Sequence, residues 1–523
     1  MESYHPVDAM LEDLPEDVLC RVLSCLGMRD AARVSSSCSA FLRAWGRYPR
    51  LTFDEETLRL RRQHPEPEAA APHETGEDSL MPPPVILGQQ QQQDDVLVVL
   101  RERDKLARGF VRHVDAIMSR RRSDAALDAL TIKFAYLREQ DARCVDRWVR
   151  LALTSTTTRR LRLDFLPHGC YNPDRLQYEL PCSLLSAGTA AADALEHLYL
   201  RMGSIRAPMP ELANLVTLVL SSVRVTGEDL GDLLYSCHKL QSLKLKRCED
   251  LAYLKVPPDR LKQLRTLVVK SCWSMREIDI SDSSIESLRF EGRHMPGTLL
   301  CGSVGPALRV TSAEFDLEHL IGPAESEATE SSRLQLLSLA HLMPRLETLS
   351  LTLVRHIKVV MTSPHSSGNR FRHLKRVKLE FYMPGRHGRD DFLFLYPFLD
   401  SAPTLEALSL DVMRGAPVFD ARRYRRQQQQ QQPAGGYFRK HQGLPHHGLK
   451  DVVITGFDAD LASLELALHI LEKARVLRCM SLETIWSRDD DGNTFMIRLI
   501  QEAISKYITP AVPSGSGILL QVK

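Results

Sequence analysis

Leu240-Gln241-Ser242-Leu243-Lys244-Leu245-Lys246 decides the fold of this chain. Its apolar residues follow the form Leu-x-x-Leu-x-Leu. The second and third are two apart, so on an extended strand both point to one face. The triplet recurs as Leu195/Leu198/Leu200, Leu215/Leu218/Leu220, Leu264/Leu267/Val269 and Ile285/Leu288/Phe290, and the five copies start 20 to 25 residues apart. It resumes at Leu346/Leu349/Leu351, Leu374/Val377/Leu379, Leu405/Leu408/Leu410 and Leu449/Val452/Ile454. Weaker copies stand at Leu127/Leu130/Ile132 and Leu161/Leu163, and between 291 and 345 only Leu308/Val310 is visible. A unit this small cannot bury its own apolar face, so such copies must stack into a solenoid of parallel strands. The residues between and just after the buried pair then face the inner side of the curve.

Outside the repeats, the most informative stretch is Leu14-Pro15-Glu16-Asp17-Val18-Leu19, with Val22-Leu23, Leu26-Gly27, Arg29-Asp30-Ala31-Ala32-Arg33-Val34, Phe41-Leu42 and Trp45. Pro15 with Glu16 and Asp17 suits a first helical turn, where one N–H lacks a partner and the dipole favours negative charge. Val18, Leu19, Val22, Leu23 and Leu26 recur at helical spacing, Gly27 is a natural stop, and Asp30 can cap a second helix. Phe41, Leu42 and Trp45 supply a third apolar cluster. Three helices this short fall below the size at which a core supports itself, so a docking partner is expected.

Residues 11–54 resemble an F-box, the adaptor-binding module of cullin-type ubiquitin ligases, through the Leu-Pro start, the Asp-Ala-Ala-Arg middle and Trp45. Two departures from the family's pattern are Gly27, where many plant members carry Pro, and the small run Ser36-Ser37-Cys38-Ser39. The triplets resemble the irregular leucine-rich repeats that follow the box in plant F-box proteins. Residues 446–485, from His447-Gly448-Leu449-Lys450-Asp451-Val452 to Met480, resemble an FBD-type C-terminal module; read as bare physics, they are a strand, a Gly turn, an amphipathic helix and a strand that would cap an open solenoid end. These resemblances imply an α/β chain with a three-helix F-box followed by a horseshoe of parallel strands. A tail occupies 486–523.

Composition narrows the function. Lys+Arg 68 against Asp+Glu 66 gives no global signal for nucleic acid or membrane. The N-terminus lacks a signal-like apolar core, and the β-rich apolar run Val96–Leu100 is too short to span a bilayer. Eleven cysteines without CxxC pairs read as reduced intracellular thiols, in cytoplasm or nucleus. Cys237-His238 has no further ligands at regular spacing, and no P-loop, HExxH, GxSxG or dinucleotide fingerprint is present. No catalytic, metal or cofactor residue is therefore assigned. Residues 61–95, with Pro, Glu and Gln89–Gln93, read as a disordered linker, and irregular repeats are expected over 96–445. Gln427–Gln432, after Arg422, Arg423, Arg425 and Arg426, reads as a loop at 422–440 inserted between late repeats.

The F-box resemblance implies a substrate receptor of a Skp–cullin–F-box ligase, with an adaptor, a cullin and a protein substrate as partners and no covalent chemistry of its own. Two alternatives remain at this level: a repeat scaffold or receptor with a degenerate box, and a nucleic-acid binder using arginine clusters such as Arg120–Arg122. Leu14, Pro15, Leu19, Val22, Leu23 and Trp45 are the expected adaptor-facing or box-core set. On the inner face the register gives Tyr199, Arg201, Lys244, Lys246, Lys270 and Arg289 as candidate substrate contacts, a basic wall suited to an acidic or phosphorylated segment.

Overall fold

A computed structural model describes residues 14–58, 60, 89–122, 125–165, 178–185, 190–206, 211–293, 299–300, 308–318, 333–354, 358–360, 370–383, 392–414, 438–484, 491–513 and 516–522. The expected linker over 61–88, the Gln427–Gln432 loop with Arg422, Arg423, Arg425 and Arg426, and the box residues 11–13 lie outside them. The chain divides into two units, Met1–Asp250 and Leu251–Lys523.

In the first unit, α1 (Glu16–Ser24), α2 (Met28–Ser37) and α3 (Ser39–Trp45) form the box. Pro15 sits at the N-cap of α1 with Glu16 and Asp17 in the first turn. Gly27 does not stop α1 in a left-handed turn. It is instead the N-cap of α2, with φ −65°, and Asp30 falls inside the first turn of α2, 3.4 Å from Arg33. The chain then enters β1 (Arg50–Phe53), and after α4 (Gln89–Ser119) come β2 (Ala129–Lys133), α5 (Ala142–Thr154), β3 (Arg160–Asp164), β4 (Tyr178–Glu179), α6 (Ala190–Ala194), β5 (His197–Ser204), β6 (Thr217–Arg224), α7 (Gly227–Ser236) and β7 (Ser242–Lys246). Strands β1, β2, β3, β5, β6 and β7 pair in that order, all parallel.

β1 pairs directly with β2, Leu51 opposite Leu130, so the strand that trails the box is bonded to the first repeat. One correction concerns the end of the expected linker. The segment at 89–119 is helical, including Gln89–Gln93 and the run Val96–Leu100 that read as β-rich. Glutamine is a good helix former, and Leu106, Ala107, Phe110, Val114 and Met118 are buried at helical spacing. Phe110 stacks on Phe134 at 4.1 Å and meets Trp148 of α5 edge-on at 6.2 Å, while Trp148 Nε1 donates to Asp115 at 2.6 Å.

The second unit holds β8 (Tyr253–Lys255), β9 (Thr266–Lys270), β10 (Glu277–Asp279), β11 (Ser287–Glu291), β12 (Ser312–Asp316), β13 (Arg333–Gln335), α8 (Leu336–Leu342), β14 (Thr348–Val354), β15 (Lys358–Val360), β16 (Arg376–Met383), α9 (Leu395–Ser401), β17 (Ala407–Arg414), β18 (Asp451–Thr455), α10 (Leu461–Lys473), β19 (Cys479–Glu483), α11 (Asp491–Ala503) and β20 (Leu519–Val522). Its parallel sheet runs β9, β11, β12, β14, β16, β17, β18, β19, β20. The faint copy near 308 is displaced: the strand there carries Ala313 and Phe315, a small residue in the second position and a large one in the third. The stretch expected as a tail adds one more strand, β20, beyond the expected cap.

The fold is thus an α/β chain: F-box helices, then the parallel strands of a leucine-rich-repeat solenoid. Leu130, Leu161, Leu198, Leu218 and Leu243 form one buried row of the first unit, with Ile132, Leu163, Leu200, Leu220 and Leu245 as the other; none is more than 1% exposed. Met202, Ser222 and Arg247, and likewise Ser271 after β9 in the second unit, each turn to positive φ (51° to 65°) two residues after the inward residue that ends the strand's buried pair. A corner conformation that non-glycine residues rarely adopt is therefore repeated where asparagine is mostly absent.

Candidate adaptor and substrate surfaces

The helical period splits the apolar residues of α1 between two faces. Leu19 and Leu23 are 2% and 0% exposed and join Met28, Ala31, Phe41 and Ala44 in the box core. Leu14, Val18 and Val22, each four residues on, stay outside at 39%, 37% and 45%. Leu42 of α3, which packs on α1, is 60% exposed, more than any other large apolar side chain among the described residues. Of the expected adaptor-facing or box-core set, Leu14, Pro15 and Val22 are therefore presented to solvent, and Leu19 and Leu23 lie in the core, one turn apart on the inward face. Trp45 is half-buried and stacks on Tyr48 at 5.2 Å. Val18 and Leu42 were missed as surface residues; the spacing 14, 18, 22 carried the signal for the first.

Polar contacts fix this module. Tyr48 donates its hydroxyl to Leu26 O at 2.8 Å, and Arg47 reaches Glu16 at 3.4 Å. Arg121 donates to Tyr48 O at 2.6 Å and to Ala125 O at 3.2 Å, and burial lowers its pKa. An arginine cluster offered as a nucleic-acid contact thus includes a residue spent on backbone carbonyls.

The inner strand positions differ between the units. In the first, Tyr199, Val219 and Lys244 share one register row, and Arg201, Ser221 and Lys246 the next. Asp164, 3% exposed, lies 3.0 Å from Arg162 and 4.0 Å from Arg201, and Arg162 sits over the Tyr199 ring at 3.9 Å. Burial, then Asp164, pushes the Tyr199 hydroxyl up. In the second unit the expected cations are met by carboxylates: Lys270 by Glu291 at 3.4 Å and Arg289 by Glu314 at 2.7 Å. Among the described residues, neither expected cation of the second unit is thus left without an acid beside it. Sequence spacing placed both residues on the outward side but gave no sight of the acids across the next strand.

Cys237 is fully buried, its thiol donates to Leu233 O at 3.2 Å, and burial pushes its pKa up to about 12. A thiol so held is a poor nucleophile. No cluster of three metal-ligating side chains occurs among the described residues. Among them, no helix is long and apolar enough to cross a membrane.

A small helical module with an outward apolar stripe, joined to stacked parallel strands, defines a protein with an F-box and leucine-rich repeats. The F-box domain family matches residues 11–52. The At1g61320/AtMIF1 LRR domain family matches residues 117–520, well over half of the chain, and the chain belongs to that family. No curated protein matches it.

Proposed function

We propose that this chain is the substrate-recognition subunit of a Skp–cullin–F-box ubiquitin ligase. The observation that carries the reading is the apolar set Leu14, Val18, Val22 and Leu42, left in water by a box whose interior is already filled. Such exposure on one small module marks an interface. In this reading Leu14, Pro15, Val18, Val22 and Leu42 contact a Skp-type adaptor, Leu19 and Leu23 hold the helices in place, and Trp45 braces α3 against Tyr48. The adaptor leads to a cullin, and the strand face of the repeats holds a protein substrate. The chain is non-catalytic: it raises the local concentration of a substrate lysine beside activated ubiquitin. Residues 446–485 serve as an FBD-like module, supported by the order β18, α10, β19 with Asp460 capping α10 through Ser463 N at 2.7 Å.

Co-purification with a Skp-type adaptor tests this. Wild type is expected to capture it, and the double change Val18→Lys, Leu42→Lys is expected to lose it with unfolding temperature unchanged. A folded wild-type chain that captures no adaptor would make the box degenerate and the protein a repeat scaffold.

A further inference from the structure

On the outward side of the second unit's strands, Glu314 of β12, Lys378 and Glu380 of β16, Asp411 of β17 and Glu483 of β19 occupy the positions between and just after the buried rows. Glu380 and Asp411 are direct register partners, and like charges placed so destabilise a sheet. Lys378 is shared among these acids: its bond to Glu380, then the charges of Glu380, Asp411 and Glu314, hold its ammonium above the ordinary value. Asp411 makes no hydrogen bond or ion pair among the described residues. Its carboxyl is pushed up by burial first, then by Glu380 and Glu483, against the pull of Lys378.

The next outward position on the same two strands is apolar. Tyr382 and Met413 are register partners, 38% and 41% exposed. An aromatic ring and a thioether beside Glu380 and Asp411, two facing carboxylates that share the one ammonium of Lys378, make a surface whose charge and anchor call for one kind of partner.

We propose that this strand face takes a basic segment of a protein partner, with Lys or Arg against Glu380, Asp411 and Glu483 and an apolar side chain over Tyr382 and Met413. The proposal deepens the receptor reading, on which it rests, by naming the substrate's chemistry. It reverses, for this unit, the acidic segment expected from sequence.

The test uses the full chain and three labelled peptides in fluorescence anisotropy: Lys/Arg-rich with one Leu or Trp, the same with every base replaced by Glu, and the same with the apolar residue replaced by Ala. The first is expected to bind best and to weaken with salt. The triple change Glu380→Gln, Asp411→Asn, Glu483→Gln is expected to cost it about tenfold, or ~1.4 kcal/mol. Tyr382→Ala is expected to weaken it similarly at all salt concentrations. Glu228→Gln, on the exposed side of α7 in the first unit, should leave it unchanged. Equal or tighter binding of the Glu-rich peptide, or wild-type binding by a folded triple variant, would overturn the proposal. Adaptor capture is read on the same samples: its loss in wild type with peptide discrimination intact would sink the ligase reading and leave this one standing.

Discussion

The box and the repeats are written in the same alphabet of amphipathic segments, yet they treat apolar side chains differently. Along β9, β11, β12 and β14 the inward residues, from Leu267 and Val269 to Leu349 and Leu351, are at most 2% exposed, because each strand is covered by the next. The box has helices of 9, 10 and 7 residues and one shared interior. Leu19 and Leu23 fill it; Val18 and Val22, on the adjoining face of the same helix, stay exposed. A single exposed leucine is ordinary on a protein surface. Four large apolar residues on a module this size are not. A repeat finds its complement in its own chain, and the box, on the reading proposed above, finds it in another.

The largest expected effect breaks the box from inside. Leu19→Lys puts an unpaired ammonium where a side chain is 2% exposed, at a cost of about 4 kcal/mol. Because β1 is paired with β2, and Arg121 of the following segment holds Tyr48 O, the damage should reach the first repeat strands. Hydrogen exchange should show Leu51–Phe53 losing protection while β16 and β17 keep theirs. Full protection of β1 in this variant would mean that the box core is not what seats that strand.

Next in size is a break within the repeats. Gly456 follows β18 at φ +76°, and a Cβ there would lie 2.2 Å from Val412 O. Gly456→Ala should therefore cost about 2–3 kcal/mol from strain and clash together, seen as a lower urea midpoint. Adaptor capture should be unaffected if the two regions serve separate partners.

These two sites also show how much was legible. The buried rows could be read wherever both inward residues were large, as at Leu243 and Leu245. They were lost at β12, where Ala313 gives its volume to Phe315, and at α4, where a glutamine run hid the start of a helix. Of the box, the sequence yielded the apolar residues but not their division, since Leu19 and Val22 satisfy one hydropathy pattern and only Leu19 is covered. On the strand faces, spacing placed Lys270 and Arg289 outward. It could not reveal Glu291 and Glu314, which belong to the neighbouring repeats and become neighbours only through register.

Acid separates the regions again, with a smaller effect. His469 of α10 is 6% exposed, lies edge-on to Tyr396 at 4.7 Å and 5.9 Å from His446. Burial, then His446 and Lys473, lowers its pKa to about 4, and burial lowers that of His446. An unfolded histidine titrates near 6.5, so between these values the unfolded chain binds more protons and stability falls as pH falls. The expected loss is about 1–2 kcal/mol from pH 7 to pH 5. The stretch from Leu14 to Phe53 contains no histidine. Protection of α10 should thus drop at pH 5 more than protection of α1, and His469→Gln should flatten the difference; an equal drop in both would assign the acid sensitivity to other groups.

The smallest expected change in stability is the sharpest test of the comparison. Val22 and Leu19 lie three residues apart on α1, one 45% exposed and the other 2%. Val22→Lys leaves its ammonium in water, with the side chain's stem free to lie along the helix surface. Its effect on unfolding should stay within about 0.5 kcal/mol, the range of ordinary surface substitutions, where Leu19→Lys costs several times more. Against the adaptor the ranking should vanish, because covering Val22 would bury that charge without a partner. Capture should therefore be lost in both variants, with native thermal unfolding in Val22→Lys alone. If Val22→Lys unfolded the box, the outer stripe would be part of its core. If it left both stability and capture at wild-type levels, the adaptor would dock elsewhere and the exposed face of α1 would have no part in it.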